Sequence, residues 1–285
     1  MPEPLDPARI PGLLRDGSLS GPLHALAGRL DAAFLEIARA FSAEPRHHLP
    51  LVPVEVMRRV DYFSSFPHLV MWPSAADRSD ESLHGFRAAN AAETPGPLAL
   101  PKVEPVDVVL APAACYAVYP TLQGESAAAR AVTLCGTCFR AEDTYQPLRR
   151  QRVFRMREIV LAGTLAEVRS FLDRGREAVQ ALTARLGLGP EVEVATATDP
   201  FFDPARSSRF LHQKLFPTKH ELVFGGDLAI VSFNHHRAFF GEAFGIRSPE
   251  GPAQTACIAF GLERWVYSVI RTHGPDPGAW ARLPI

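Results

Sequence analysis

The middle of this chain is a series of short strand-like segments, and they constrain its fold more than any other feature. Residues 106–110, 116–119, 131–142 and 153–160 are rich in Val, Phe and Tyr and are separated by Pro, Gly or charged turns. This pattern is typical of neighbouring antiparallel strands. Three later segments with strand character are 191–197, 229–233 and 255–260. A sheet therefore forms the centre of the predicted fold.

Helical patterns lie on both sides of these strands. Apolar residues recur at helical spacing over 24–41, and a second helix is predicted to follow the capping-box pattern that begins at Thr164. A third helix is predicted over 262–272, whereas the polar and small residues 74–97 predict a loop. The fold class is α+β, with a mostly antiparallel sheet flanked by helices.

Bulk properties limit the function classes. The chain has 285 residues, of which 47% are hydrophobic, so it can bury a sizeable core. The Pro-rich residues 1–20 are expected to be loosely held, with one large domain over 21–285. A net charge of −1 provides no global basic field for nucleic acid. The absence of a long apolar run argues against a membrane protein, and the few cysteines predict a cytoplasmic one.

Two distant stretches carry the strongest functional signal. The first, 138–142, contains Arg140 and Glu142 on one face of a predicted strand, and the second, 257–264, passes from an apolar strand into a helix that begins Gly-Leu-Glu-Arg. Either stretch alone has an ordinary explanation, as a surface ion pair or a plain helix start. Their order and spacing, with a basic loop after the first, argue against coincidence. Together they resemble motifs 2 and 3 of class II aminoacyl-tRNA synthetases.

Further segments narrow this resemblance. They are Asp-Pro-Phe-Phe at 199–202, Lys-Leu-Phe-Pro-Thr-Lys at 214–219, Ser-Phe-Asn at 232–234 and Phe-Gly-Leu-Glu-Arg-Trp at 260–265. The set resembles the atypical zinc-dependent seryl-tRNA synthetases and, above all, their short relatives, the amino acid:[carrier protein] ligases. The resemblance covers about 62–265, and it implies a class II synthetase-like catalytic domain.

The resemblance implies an ATP site that joins a carboxylate to AMP with release of pyrophosphate. Arg140 would bind the α-phosphate and Arg264 the γ-phosphate, and both would be catalytic. Bidentate guanidinium groups suit phosphate oxygens. Glu142 would accept the adenine amino group, Phe154 would stack on the purine, and Glu221 is a candidate carboxylate for Mg²⁺. No protein base is needed, because the substrate carboxylate is the nucleophile.

The same resemblance implies one zinc ion per subunit, held by Cys115, Glu158 and Cys257. Three protein ligands leave an open position, which would take the α-amino group of a small amino acid. Asn234 and Ala256 would lie beside that amino acid. Taken as residues alone, the two cysteines are equally explained as small, buried apolar side chains.

Two other groups of residues compete for a metal or catalytic role. Cys135 and Cys138 form a Cys-x-x-Cys pattern, but residues three apart on a strand face opposite sides. The neighbours His235 and His236 also point apart on a strand. We therefore interpret both histidines as surface groups or as groups behind the site, and assign no catalytic acid or base.

The resemblance also implies a partner, since the matched ligases transfer the amino acid to the phosphopantetheine thiol of a small acidic carrier protein. A docking helix at about 203–214 would present Arg206, Arg209 and Lys214 to that partner. Residues 62–67 resemble the dimer-forming motif 1, which predicts a homodimer.

Two alternatives remain open from the sequence. The acceptor could be tRNA or a small molecule, or the chain could be a synthetase-like regulator without catalysis. The residues before 52 are too few for the helical arm that seryl-tRNA synthetases use, and the net charge is nearly zero. Since tRNA binding depends on phosphate neutralisation, we expect tRNA not to be the acceptor.

Overall fold

The computed structural model describes residues 6–91, 96–124, 126, 128–189, 192–196 and 219–285. Within them the helices are α1 (Gly21–Arg39), α2 (Val54–Arg59), α3 (Tyr62–Ser65), α4 (Asp80–Ala89), α5 (Leu165–Arg185), α6 (Phe239–Phe244), α7 (Leu262–His273) and α8 (Pro277–Ala281). The strands are β1 (Glu44–Pro45), β2 (Leu51–Pro53), β3 (Val108–Leu110), β4 (Arg130–Phe139), β5 (Val153–Gly163), β6 (Val192–Thr196), β7 (Lys219–Phe224), β8 (Leu228–Arg237), β9 (Arg247–Ser248), β10 (Gly251–Pro252) and β11 (Gln254–Gly261).

A seven-stranded sheet in the order β1-β4-β5-β11-β8-β7-β6 forms the centre of the molecule. Every neighbouring pair in it is antiparallel except β1 with β4, which is parallel. The last long strand in sequence, β11, is inserted between β5 and β8. This crossover brings the two distant sequence stretches into the same sheet, and it confirms the predicted α+β class.

The two faces of the sheet bury different cores. Alternation along β5 and β11 sends Ile159, Ile258 and Phe260 into a core with the long helices α1, α5 and α7. The opposite side chains, among them Val160 and Cys257, join a second core built from β2, β3, α2 and α6. The functional site described below lies on this second face.

The long helices match their sequence patterns. The capping box at the start of α5 is confirmed, because Thr164 accepts from the Glu167 amide and Glu167 accepts from the Thr164 amide. The prediction of a loop over 74–97 is wrong in part, since α4 lies within it. Ser79 caps α4, which has no buried residue. The helix is short, and only Leu83 and Phe86 are large apolar residues in it, so the surrounding polar and small residues dominated the prediction.

Two strand predictions differ from the structure near the site. Residues 116–119 fall in two short 3-10 helices, Ala114–Ala117 and Tyr119–Leu122, not in a strand. Residue 139 ends β4, so Arg140 and Glu142 lie in the loop that follows the strand. Their proximity thus depends on the loop and not on the two-residue period of a strand.

The N-terminal residues pack more closely than their proline content suggests. Of the segment 1–20 that we expected to be loosely held, Ile10 and Leu13 are buried in the main core. No helix in the described parts of the chain combines the length and apolar character needed to cross a membrane. The expected docking helix over 203–214 lies outside the described residues, and so do Arg206, Arg209 and Lys214.

Candidate active site

Three neighbouring strands form the floor of the site. In the register of the sheet, Cys257 on β11 lies between Val160 on β5 and Asn234 on β8. Two residues further along β11, Ala259 is the neighbour of Glu158. Residues separated by two on a strand share a face, so this register gathers Cys257, Asn234 and Glu158 on the side of the second core.

Cys115, Glu158 and Cys257 converge at one end of this floor. Their sulfur and carboxylate oxygen atoms all lie within 4.8 Å of one another, and all three residues are buried. Among the described residues this is the one cluster of three or more His, Cys, Asp or Glu side chains that could hold a metal ion. The 3-10 helix Ala114–Ala117 brings Cys115 above the strands that carry the other two.

Glu158 is fixed in this cluster by backbone donors. Its Oε1 accepts hydrogen bonds from the amides of Ala114 at 2.7 Å and Cys115 at 3.1 Å. Burial, and then the charge of Cys257, raise the pKa of Glu158 to about 8. A buried carboxyl beside two thiols is costly to ionise unless a cation is present.

The two cysteines are similarly constrained. Asn234 donates a hydrogen bond from Nδ2 to Cys257 Sγ at 3.3 Å. Hydrogen bonding to Cys257, followed by burial, raises the pKa of the Cys115 thiol well above its usual value. The two sulfurs and one carboxylate are a zinc donor set, and zinc binds such atoms at about 2.0–2.3 Å. After a small rotation of a side chain, these three residues can share one ion.

A cavity of about 460 Å³ opens from this cluster. Its aromatic walls include Tyr62, Phe66, Tyr116 and Phe240. Tyr62 packs edge to face against Tyr116, with ring centroids 5.4 Å apart. The wall is therefore largely apolar, whereas the floor carries the three potential ligands. That combination suits a small ligand with one polar end.

A second cavity, of about 110 Å³, adjoins the first. Five residues line both cavities, namely Arg140, Met156, Lys219, Ser232 and Ala259. The predicted nucleotide residues Glu142, Phe154, Glu221 and Arg264 also line the second cavity. The structure thus brings the five ATP-site residues named from the sequence around one space, with Arg140 at its junction with the first cavity.

Arg140 and Arg264 approach the second cavity from different elements. Arg140 Nε donates to the carbonyl of Pro112 at 3.0 Å, and its guanidinium lies 5.0 Å from the centre of the Phe154 ring. Arg264, in the first turn of α7, donates to the carbonyls of Arg149 and Ala229 at 3.0 and 2.9 Å. Desolvation lowers the pKa of Arg264 to about 10, so the group stays charged at neutral pH. Each guanidinium is oriented in advance by backbone oxygen.

The acidic residues of this cavity are engaged with neighbouring cations. Glu142 pairs with Arg150 at 3.3 Å, and Glu221 pairs with Lys219 at 3.0 Å. Ser232 also donates to Glu221, at 3.2 Å. These pairs leave the pocket with a mixed lining in which each carboxylate is held in place.

One predicted substrate residue faces the wrong way. Ala256 is buried in the core beneath the long helices and lines neither cavity. Because side chains alternate along β11, the residue next to Cys257 must point to the opposite face. Asn234, by contrast, lines the large cavity.

The Cys-x-x-Cys pattern does not form a second metal group in the described residues. Cys138 belongs to the cavity-side core. Cys135 lies on the other face of β4, within the electrostatic reach of Asp31 and Arg157, and burial raises its pKa to about 11. The two thiols face opposite sides, as the strand period predicts.

His235 and His236 both line the large cavity. We expected these neighbours to point apart on a strand and to be surface groups or groups behind the site. The pairing of β8 with β11 contains a register shift. Thr255 pairs with Arg237 and Ala256 pairs with His235, so His236 is an extra residue on β8. The sequence does not mark this bulge, because β8 contains no glycine that would identify it.

Comparison with known proteins agrees with this geometry. No protein-family model matches the chain. The protein called amino acid–[acyl-carrier-protein] ligase 1 from Bradyrhizobium diazoefficiens is 34% identical over 262 residues, which is 87% of this chain and 77% of that one. Amino acid–[acyl-carrier-protein] ligase 2 from the same organism is 32% identical over 87% of this chain and 75% of its own length.

More distant similarity extends to tRNA ligases. A type-2 serine–tRNA ligase from Methanothermobacter thermautotrophicus is 27% identical over 81% of this chain but only 47% of that one. The SerRS of M. kandleri, solved with a tRNASec, superposes with a TM-score of 0.77 at 22% identity, over 96% of this chain and 57% of that one. At this identity the structural match shows the fold, which is that of class II synthetases.

Proposed function

Because this chain belongs to the family of amino acid–[acyl-carrier-protein] ligases, we propose that it activates an amino acid with ATP and transfers it to the phosphopantetheine thiol of a carrier protein. The observation that carries this proposal is the pair of adjoining cavities. One ends in a buried Cys–Glu–Cys cluster, and the other is bordered by Arg140 and Arg264.

In the first step, an oxygen of the substrate carboxylate attacks the α-phosphorus of ATP. The bond from that phosphorus to the bridging oxygen breaks, and pyrophosphate leaves with Mg²⁺. Arg140, which lines both cavities, would neutralise charge on the α-phosphate. Arg264 would bind the γ-phosphate end, and Phe154 and Glu142 the adenine. Fixed charges that require no reorganisation are an effective means of stabilising such a transition state.

The substrate would be oriented by the cluster at the far end of the large cavity. We propose that Cys115, Glu158 and Cys257 hold one zinc ion, and that a bound zinc supplies an open position for the α-amino group. Asn234, which donates to Cys257 Sγ at 3.3 Å, would help keep that thiolate in place. Anchoring the amine limits the positions of the carboxylate and so favours attack on the nucleotide. The substrate proposed is a small amino acid.

In the second step, the carrier's thiol sulfur attacks the aminoacyl carbonyl, and AMP leaves. The proton of the thiol is lost to solvent or to AMP in this scheme. Arg206, Arg209 and Lys214 remain the proposed contacts for an acidic carrier, since they lie outside the described residues. Basic groups facing an acidic partner raise the rate of encounter.

Two further assignments belong to this proposal. A homodimer is supported by two apolar side chains that are exposed on neighbouring segments, Leu51 (41%) and Trp72 (59%). Leu51 lies on β2, which pairs with β3, and the backbone of β3 is hydrogen-bonded to Met71, the residue before Trp72. A cytoplasmic location is supported by four cysteines that are all free.

A tRNA acceptor is the second candidate, because type-2 serine–tRNA ligases also match the chain. The net charge of −1 argues against it. A regulator without catalysis is a third possibility, and the convergence of the cluster with two oriented guanidinium groups argues against that one.

The proposal is tested by amino-acid-dependent exchange of pyrophosphate into ATP, measured with each amino acid in turn. We expect exchange with a small amino acid, and labelling of a phosphopantetheinylated carrier but not of tRNA. The Cys257→Ala variant should lose both zinc and exchange, whereas the matched control Cys135→Ala should keep both. Absence of exchange with any amino acid would refute the activation step, and charging of tRNA in preference to the carrier would refute the acceptor.

A further inference from the structure

His236 lies directly behind the proposed metal ligands. Its Nε2 is 3.8 Å from Cys257 Sγ, and its Nδ1 is 3.3 Å from the hydroxyls of both Tyr119 and Thr255. His236 itself does not belong to the cluster of potential ligands within 4.8 Å. It therefore contacts one ligand from outside the cluster.

We assign the tautomer of His236 from these contacts. A hydroxyl is a good donor to an imidazole nitrogen, and two hydroxyls meet at Nδ1. With Nδ1 accepting, the ring hydrogen of a neutral histidine is on Nε2. That hydrogen points to Cys257 Sγ, which as a metal ligand is a thiolate and an acceptor.

The backbone beside this ring departs from a regular strand. His236 is the extra residue of the bulge between β8 and β11. The next residue, Arg237, has a φ of +55°, a left-handed conformation that costs a non-glycine residue about 1 kcal/mol or more. In a regular strand His236 would also share the face of Asn234, two residues before it, so the bulge does not decide which face the ring occupies.

Packing then holds the ring in one orientation. Tyr119 stacks on Phe240 with ring centroids 3.8 Å apart, and His236 meets Phe240 edge to face at 4.9 Å. Tyr119 and Thr255 are fully buried. A ring fixed by two aromatic neighbours and two hydroxyls can direct a hydrogen bond with little loss of conformational entropy.

We propose that His236 is a positioning residue, which donates from Nε2 to Cys257 Sγ and, held by Tyr119 and Thr255, fixes that thiolate for the metal. The inference rests on the zinc site of the proposed function. Loss of a residue that orients a metal ligand typically weakens metal affinity by about 10- to 100-fold, so the same loss is expected when this donor is removed.

Two amide substitutions distinguish loss of the hydrogen-bond donor from loss of the imidazole ring. In His236→Gln the amide nitrogen reaches about as far as Nε2 and can donate to the sulfur, whereas in His236→Asn it falls short. Zinc affinity is measured by competition with a chromophoric chelator, and the thiolate-to-metal absorption is measured after Co²⁺ substitution. We expect His236→Asn to lose about 10- to 100-fold in zinc affinity and to alter the cobalt spectrum, and His236→Gln to stay near the native values.

The controls exclude loss of folding as the cause. His84→Asn makes the same exchange at an exposed position on α4 and should leave zinc affinity unchanged. Thr255→Val keeps the shape of its side chain while removing one hydroxyl from Nδ1, and it should give a smaller loss than His236→Asn. Circular dichroism of each metal-free variant should match that of the native protein.

The measurements distinguish failure of the positioning role of His236 from failure of the zinc site. If the native protein holds zinc and His236→Asn binds it equally tightly, His236 has no positioning role and the metal site stands. If His236→Gln is as impaired as His236→Asn, the effect comes from packing and the donor role is refuted. A native protein that binds no zinc would overturn both proposals.

Discussion

The side chain of Arg264 illustrates how single residues prepare this site. Two of its N–H groups are used by backbone carbonyls, at 3.0 and 2.9 Å, which fixes the plane of the guanidinium at the edge of the nucleotide cavity. A lysine in the same place would keep the charge but lose both the fork geometry and this support.

Arg264→Lys is therefore expected to reduce pyrophosphate exchange by about 100-fold or more, the scale typical for a lost preorganised donor. The fall should be accompanied by a higher KM for ATP, while the KM for the amino acid changes little. Arg271→Lys, at an exposed position on the same helix, is the matched control and should retain activity. Equal activity of the two variants would contradict the phosphate role of Arg264.

His236 and Ala256 show where residue-level reasoning ended. Ala256 was expected beside the substrate, but it faces the opposite core. His236 was expected among surface groups or groups behind the site, and the structure places it behind Cys257. Ala256 could have been corrected from the alternation of β11 alone. The contacts of His236 could not be predicted, because Tyr119, Phe240 and Cys257 come from other segments of the chain.

At the level of elements, α6 is placed by a close contact between two backbones. A Cβ added to Gly241 would lie 2.2 Å from the carbonyl oxygen of Ala253 and 2.9 Å from its nitrogen. A glycine there lets α6 approach the segment before β11, and α6 carries Phe239 and Phe240, which line the large cavity. The element is thus positioned by the absence of a side chain.

Gly241→Ala should destabilise the protein by about 1–3 kcal/mol, as over-packing does, although alanine favours a helix over glycine by about 1 kcal/mol. The KM for the amino acid should also rise, because displaced aromatic side chains would alter the cavity. Urea unfolding and steady-state exchange measure the two effects.

Gly28→Ala is the control, because the same substitution is made at a helical glycine where the added methyl group has room. An added Cβ at this position on α1 meets nothing within 4 Å, so the helix preference acts alone and stability should rise by about 0.5–1 kcal/mol. A gain of stability in both variants would show that α6 does not need the close approach.

For the whole molecule, the ligand cluster connects parts that are far apart in sequence. Cys115 comes from a 3-10 helix of the second core, Glu158 from β5 and Cys257 from β11. An ion bound here would cross-link that core to the centre of the sheet. Metal binding to the folded state alone stabilises it by about 4 kcal/mol at a free concentration of 1,000 Kd.

Removing zinc with a chelator should therefore lower the thermal unfolding midpoint of the native protein by several degrees, and added Zn²⁺ but not Mg²⁺ should restore it. Differential scanning calorimetry gives the midpoints. Cys257→Ala should unfold at the same temperature with and without chelator. A native midpoint that is insensitive to chelation would contradict a structural contribution of the metal.

Much of this architecture was accessible from local patterns. The long amphipathic helices, the capping box at Thr164 and the strands of the sheet follow from periodicity and capping, and these signals depend only on neighbours in sequence. Helix α4 was missed because it is short and has only two large apolar residues, Leu83 and Phe86, within a polar segment. The loop position of Arg140 and Glu142 was missed because strand chemistry continues past the last ladder bond at Phe139.

Local patterns and the family resemblance were enough to predict the class of fold, the three residues of the ligand cluster and the five residues around the nucleotide cavity. Tertiary structure alone decided how they meet. The insertion of β11 between β5 and β8 brings Cys257 into line with Asn234 and beside the strand of Glu158, a pairing across about 100 residues that no local pattern records. Contacts with Tyr119, Thr255 and Phe240 hold His236 beside Cys257, and Gly241 allows α6 to close the cavity wall. Register and close packing are relations between distant segments, and their energies exist only when the chain is folded.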